Sequence, residues 1–219
     1  MRKKRAWLLF VVALIFSGVL AQPYLSLDIG DSRLDVRDSL QYSVLVGHIF
    51  TAAVALVLGP LQFIPKVRAR RRVHRTIGRI YLLAGVVPSA VATIPVAIWS
   101  GRPVTQVGLT VAAVLWLITG FQAYRAARRR DFVHHREWMM RNYALTFLAV
   151  TSRILVPLLL LAQVPFGGAD LGSIGEEATS MIPIGQTLGW IVNLFVVEII
   201  IRRARRNAMA SVSGAVSGR

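Results

Sequence analysis

Apolar residues in this chain come in long blocks, separated by short polar stretches. Six blocks stand out: Ala6–Ala21, Ser43–Ile64, Gly78–Trp99, Thr105–Ala126, Asn142–Gln163 and Pro183–Ile201. Each is nearly free of charge. Five have about the 20 residues that a helix rising ~1.5 Å per residue needs to cross a hydrocarbon core of about 30 Å. The pattern predicts an all-α, polytopic membrane helix bundle with six transmembrane helices, of which spans two to five form a four-helix core. The expected organisation is an N-terminal anchor over residues 1–22, an acidic loop over 23–42, the core over 43–163 and a loop over 164–182. The sixth span then covers 183–206, and a disordered tail covers 207–219.

The polar stretches alternate in sign, which adds orientation to the picture. Arg2, Lys3, Lys4 and Arg5 precede the first span, Lys66 to Arg79 separate the second from the third, Arg125 to Arg141 separate the fourth from the fifth, and Arg202 to Arg206 follow the sixth. The intervening loops carry Asp28, Asp31, Asp35, Asp38, Asp170, Glu176 and Glu177, with few arginines. Lys and Arg are retained on the cytoplasmic side, so both termini are expected there. Met1–Arg5 followed by an apolar stretch ending in Val19-Leu20-Ala21 also fits a cleaved signal peptide, which would leave five spans. The uncleaved anchor is the preferred reading, because the other spans already supply membrane targeting.

The chain is 55% hydrophobic with a formal net charge of +16, and its mean hydropathy is +0.57. A pI near 11.7 would otherwise suggest nucleic acid. Membrane orientation accounts for the charge, so the expected partner is a lipid bilayer with anionic phospholipids at the cytoplasmic face, and no nucleic acid. The absence of cysteine excludes disulfides and thiolate metal sites. No nucleotide loop, nucleophile elbow or paired intramembrane carboxylates occur, so hydrolase and primary-pump chemistry is unsupported.

Two segments resemble each other. "GPLQFIPKVRARRRVHRTIGRIY" starts at Gly59 and "GFQAYRAARRRDFVHHREWMMRNY" at Gly120. Each has a Gly, a nearby Gln (Gln62 in the first), an Arg triplet, a His-Arg pair fifteen residues after the Gly, and Arg-x-Tyr. A duplicated helix hairpin would place His74 and His135 at matching depths on the cytoplasmic side, each just before a span. Tyr81, Tyr143 and Trp138 are expected there as interfacial aromatic anchors.

Histidine is the best candidate metal or haem ligand here, and there are four. His74 and His135 suit either a shared transition metal or haem b between neutral imidazoles, or contact with lipid phosphate as part of a basic belt. The flanking Arg75, Arg79 and Arg141 suit haem propionates on the first reading and phosphates on the second. His48 lies within span two, roughly 9 Å from the outer surface. It suits either a hydrogen bond between helices or a site. Arg153 is a permanent charge near the middle of span five and needs compensation. An interior Arg153 near His48 would hold a carboxylate or a quinone oxygen; a structural Arg153 would be capped by carbonyls near Pro157. Glu198 is expected to pair on its own helix with Arg202 and Asn193.

Gly59–Tyr81 and Ala123–Pro157 closely resemble the bacterial membrane-protein family called domain of unknown function 2306, over roughly Gly47 to Leu160. The shared positions are His48, Gly59, Gln62, His74, Arg75, Gly78, Arg79, Tyr81, Trp116, His135, Trp138, Met139, Arg141, Tyr143 and Arg153. The first and last spans carry no motif of it. The resemblance implies an integral membrane protein and brings no activity with it. It adds weight to a ligand or redox-cofactor site (haem, quinone or metal) built from His48, Arg153, His74, His135, Arg75, Arg79, Arg141 and Gln62. Membrane b-type cytochromes offer the analogy. The alternative is a transporter or a non-catalytic membrane scaffold.

Overall fold

A computed structural model describes residues 3–32, 36–163 and 174–217. Its helices are α1 (Lys3–Ala21), α2 (Ser39–Leu61), α3 (Pro65–Ala69), α4 (Arg71–Ile80), α5 (Val87–Trp99), α6 (Pro103–Arg128), α7 (Phe132–Thr146), α8 (Leu148–Gln163) and α9 (Ile174–Ser217). There is no strand among the described residues. Five stretches are long and apolar enough to cross a membrane: Lys4–Tyr24, Ser39–Leu61, Arg71–Trp99, Pro103–Arg128 and Thr179–Ala210. The pair α7–α8 makes a sixth if it is taken as one span bent by 48°. The all-α membrane bundle expected from the sequence is therefore the architecture found.

The core is built where α2, α5, α6 and α7 meet. Ala55, Tyr81, Val86, Ala90, Ala113, Trp116, Ala123, Met139, Tyr143 and Leu145 form its buried cluster. Small residues let the helices approach closely, because lipid supplies no hydrophobic drive and contact must come from packing. A Cβ on Gly59 would lie 2.2 Å from the Tyr143 ring, and one on Gly85 would lie 2.9 Å from the Ala55 backbone nitrogen. Those two glycines are where one hairpin seats against the other and where α2 touches the helix that follows it.

Both return helices are irregular just past their tyrosines. Between α4 and α5, Tyr81–Val86 forms a π-helical stretch in which the Val87 N–H reaches back to the Leu82 carbonyl. Pro88, which has no N–H and crowds the carbonyl four residues back, accounts for the widened turn. The second irregularity corrects the expected continuous span Asn142–Gln163, because the helix breaks at Phe147. In a straight helix the Ala144 carbonyl would receive the Leu148 N–H. Here it accepts the Asn193 side-chain amide of α9 at 2.9 Å, and Asn193 Oδ1 in turn accepts from Thr151 at 2.9 Å. A side chain inserted into the backbone ladder is a recognised cause of a kink.

The last helix is also longer than expected. It begins at Ile174, inside the expected loop, and continues to Ser217 through the expected disordered tail. Residues 202–210 are all Arg, Ala or Met, good helix formers, except Asn207, and hold no Gly or Pro. Tertiary contacts hold this end: Arg205 forms a two-pronged ion pair with the buried Glu137 of α7, with Nε at 2.7 Å.

Candidate functional site

The polar residues of the family-like segments separate into three groups. The first is a buried network inside the core. Asn142, with no exposed surface, accepts a hydrogen bond from Tyr81 Oη at 2.6 Å and donates to the Trp116 carbonyl at 2.8 Å and to Thr119 Oγ1 at 2.9 Å. Thr146 Oγ1 lies 2.9 Å from Tyr81 Oη and accepts from Trp116 Nε1 at 3.0 Å. Tyr143 Oη donates to the Leu56 carbonyl at 3.2 Å. Tyr81 and Tyr143 are thus not interfacial anchors. Each inserts its ring into the core, and its hydroxyl is satisfied there by another helix. The sequence reading missed Asn142, Thr119 and Thr146. The available signal was an Asn and a Thr at i and i+4 on the face that carries Met139 and Tyr143.

The second group sits at the arginine-rich end, where α3–α4 and α7 come together. The rings of His74 and His135 are 6.4 Å apart between centroids and nearly perpendicular, at 89°. His135 Nδ1 donates to the Ala123 carbonyl at 2.8 Å. A carbonyl can only accept, so Nδ1 carries a proton, and in the neutral ring Nε2 holds the lone pair. His74 Nδ1 is buried without a hydrogen-bond partner, and so is Gln62 Nε2. Gln62 packs against Gly78, one turn along α4 from His74, since a Cβ on that glycine would lie 3.4 Å from the Gln62 oxygen. Three of the singled-out residues, His74, His135 and Gln62, therefore share one corner of the bundle. His134, adjacent in sequence, is not part of it. Its ring lies 2.7 Å from Asp131, which caps α7.

The arginines nearby divide between two roles. Arg141 is held by Glu198, with Nη2 at 2.8 Å, and stacks over Trp138 at 4.8 Å. Glu198 also meets Arg202 at 3.5 Å, as expected, but Asn193 is committed to the α7–α8 break. Arg75 and Arg79 are exposed, and Arg75 Nε donates to the Arg71 carbonyl at 3.4 Å.

The third group lies in the half of the bundle away from the arginines. His48 Nδ1 is 3.1 Å from the Ser89 carbonyl, 3.1 Å from Ser89 Oγ and 3.2 Å from Thr93 Oγ1. Arg153 departs from expectation. It lies on α8 beyond the bend at Phe147, where the helix packs chiefly along α9. Its side chain is exposed, and Nη1 donates to the Ala149 carbonyl one turn back at 2.8 Å.

Among the described residues no group of three or more His, Cys, Asp or Glu side chains is placed to hold a metal ion. A family model described as "Predicted membrane protein (DUF2306)" matches residues 45–201. No curated protein and no solved structure matches the chain.

Proposed function

The chain belongs to the DUF2306 family of predicted membrane proteins, and we propose that within this frame it binds a redox cofactor through His74 and His135. One observation carries the reading: the imidazoles of His74 and His135, from different helices, lie 6.4 Å apart and nearly perpendicular, and His74 Nδ1 is buried with no hydrogen-bond partner among the described residues. Two nitrogens placed about 2 Å either side of a metal put their ring centres roughly 6 Å apart. The Ala123 carbonyl behind His135 is the kind of outer partner that fixes a ligand's tautomer and raises its basicity.

The donor count narrows the cofactor. A bare transition-metal ion wants four or more ligands, whereas here two histidines meet and no group of three or more His, Cys, Asp or Glu forms among the described residues. Haem iron, whose macrocycle fills four positions, needs only an axial pair. The exposed Arg75 and Arg79 suit the propionates. The same exposed arginines suit phosphates of anionic lipids at the cytoplasmic face of a bacterial inner membrane, the orientation that the charge distribution favours.

The test is an absorption spectrum of the full chain, purified after growth with added haem precursor, beside metal analysis of the same sample. A Soret band that is lost in both His74→Ala and His135→Ala, with the proteins still folded, is the expected result. Full-length protein with neither a Soret band nor stoichiometric metal refutes the proposal.

A further inference from the structure

The ion pairs that fasten α9 to α7 border a feature that the two-histidine reading does not use. A cleft of about 380 Å³ is lined by Ile199, Arg202, Arg205 and Arg206 of α9. It straddles a change in the helix: residues 194–201 are apolar apart from Glu198, and four of residues 202–206 are arginine. Two of the lining guanidiniums are fixed by carboxylates. Glu137 of α7, only 7% exposed, holds Arg205 in the two-pronged pair, with Nε at 2.7 Å. Glu198 holds Arg202 at 3.5 Å and Arg141 of α7 at 2.8 Å. Arg206 is exposed and in no ion pair among the described residues. Four arginines set against two carboxylates leave an excess of two positive charges around the cleft.

We propose that this cleft binds an anionic phospholipid whose head group carries two phosphates. The guanidinium fork matches phosphate oxygens, and each guanidinium has five N–H donors. Glu137 takes two from Arg205, through Nε and Nη2, and leaves three that this carboxylate does not claim. A guanidinium held by a buried carboxylate has already lost its freedom, so a ligand has less to order on arrival. The excess of two charges suits two phosphates. Like charges at Arg202 and Arg206, four residues apart on one helix, repel until an anion joins them. Ile199 and the aliphatic stems of the arginines form an apolar wall beside the charged one. A lipid in the adjoining leaflet meets both walls, with its glycerol and chains on one and its phosphates on the other. A soluble phosphate ester has nothing to set against Ile199.

The cleft shares no residue with the two-histidine corner and does not rest on it. The experiment is native mass spectrometry of the full chain released from detergent micelles. The probes are tetraoleoyl cardiolipin, dioleoylphosphatidylglycerol and dioleoylphosphatidylcholine, with glycerol phosphate as the soluble competitor. We expect the first cardiolipin to bind about fivefold tighter than phosphatidylglycerol, the effect of one more charge near a basic surface. Phosphatidylcholine should not compete. Arg206→Gln, at an exposed side chain, should weaken the first cardiolipin about fivefold. Arg206→Lys should recover part of that loss, because it keeps the charge without the fork. Arg129→Gln, at an exposed arginine outside the cleft, should change nothing. Equal losses in Arg206→Gln and Arg129→Gln would mean a diffuse basic belt and overturn the assignment. So would equal affinity for cardiolipin and phosphatidylglycerol, or displacement of cardiolipin by glycerol phosphate, or binding that Arg206→Gln leaves unchanged.

Discussion

Replacing Asn142 by leucine tests whether the buried polar network, more than apolar packing alone, holds the core together. The two side chains have similar bulk, so the change removes hydrogen bonds with little change in volume. Asn142 makes three side-chain hydrogen bonds, to Tyr81, the Trp116 carbonyl and Thr119. Hydrogen bonds between membrane helices are worth about 0.6 kcal/mol on average and about 1.7 at most, because the unfolded chain in lipid finds other partners. Three of them predict a loss of ~2 kcal/mol. Tyr81 Oη retains Thr146 at 2.9 Å, so no buried hydroxyl is orphaned and the cost should not rise far above that. Asn142→Asp is the sharper companion, since it removes both amide N–H donors and sets carboxylate oxygens against the Trp116 carbonyl. It should cost more than leucine does. Reversible unfolding of the full chain in bicelles, followed by tryptophan fluorescence, reads both variants. A Tyr81→Phe/Asn142→Leu double-mutant cycle isolates the shared bond. If Asn142→Leu matches the parent within about 0.5 kcal/mol and Asn142→Asp is no worse, the network is incidental and the reasoning fails.

Four further outcomes are expected. Reporter fusions after Arg72, Arg130 and Arg206 should read cytoplasmic, and fusions near Asp31 and Glu177 external; a cytoplasmic readout near Glu177 would undo the six-span topology. Gly59→Ala should lower the unfolding temperature, because its Cβ would lie 2.2 Å from the Tyr143 ring, and adding Tyr143→Leu should recover part of the loss. Glu137→Gln combined with Glu198→Gln releases Arg205, Arg141 and Arg202 from their ion pairs, and trypsin should then cleave around Arg202–Arg206 faster than in the parent. The Asp131 carboxyl is held below the usual carboxylate range, chiefly by the His134 backbone N–H. Its capping of α7 should persist at neutral pH and be lost only as the pH falls through that lowered value, measurable as faster hydrogen exchange at the His134 amide; exchange that quickens on raising the pH beyond the intrinsic base dependence would contradict the sign.

Long apolar blocks determined the class of this protein by themselves. Backbone groups in lipid must be satisfied within a segment, so a run of about 20 apolar residues leaves helix as the one choice for a single span. That His74 and His135 lie near one another, 6.4 Å between ring centres, agrees with their equal spacing from Gly59 and Gly120. What sequence did not decide depends on which side chain of a distant helix reaches which backbone group. Asn193 takes the Ala144 carbonyl at the 48° bend of α7–α8, and Arg153 beyond that bend is exposed. Glu198 found Arg141 on another helix as well as Arg202 on its own. The tyrosines that hydropathy assigns to an interface are drawn inside by Asn142, Thr146 and the Leu56 carbonyl. Hydropathy along a chain reports the environment of a segment. It does not report the rotation of a helix about its axis or the partner of a buried polar atom, and those are fixed only when helices pack.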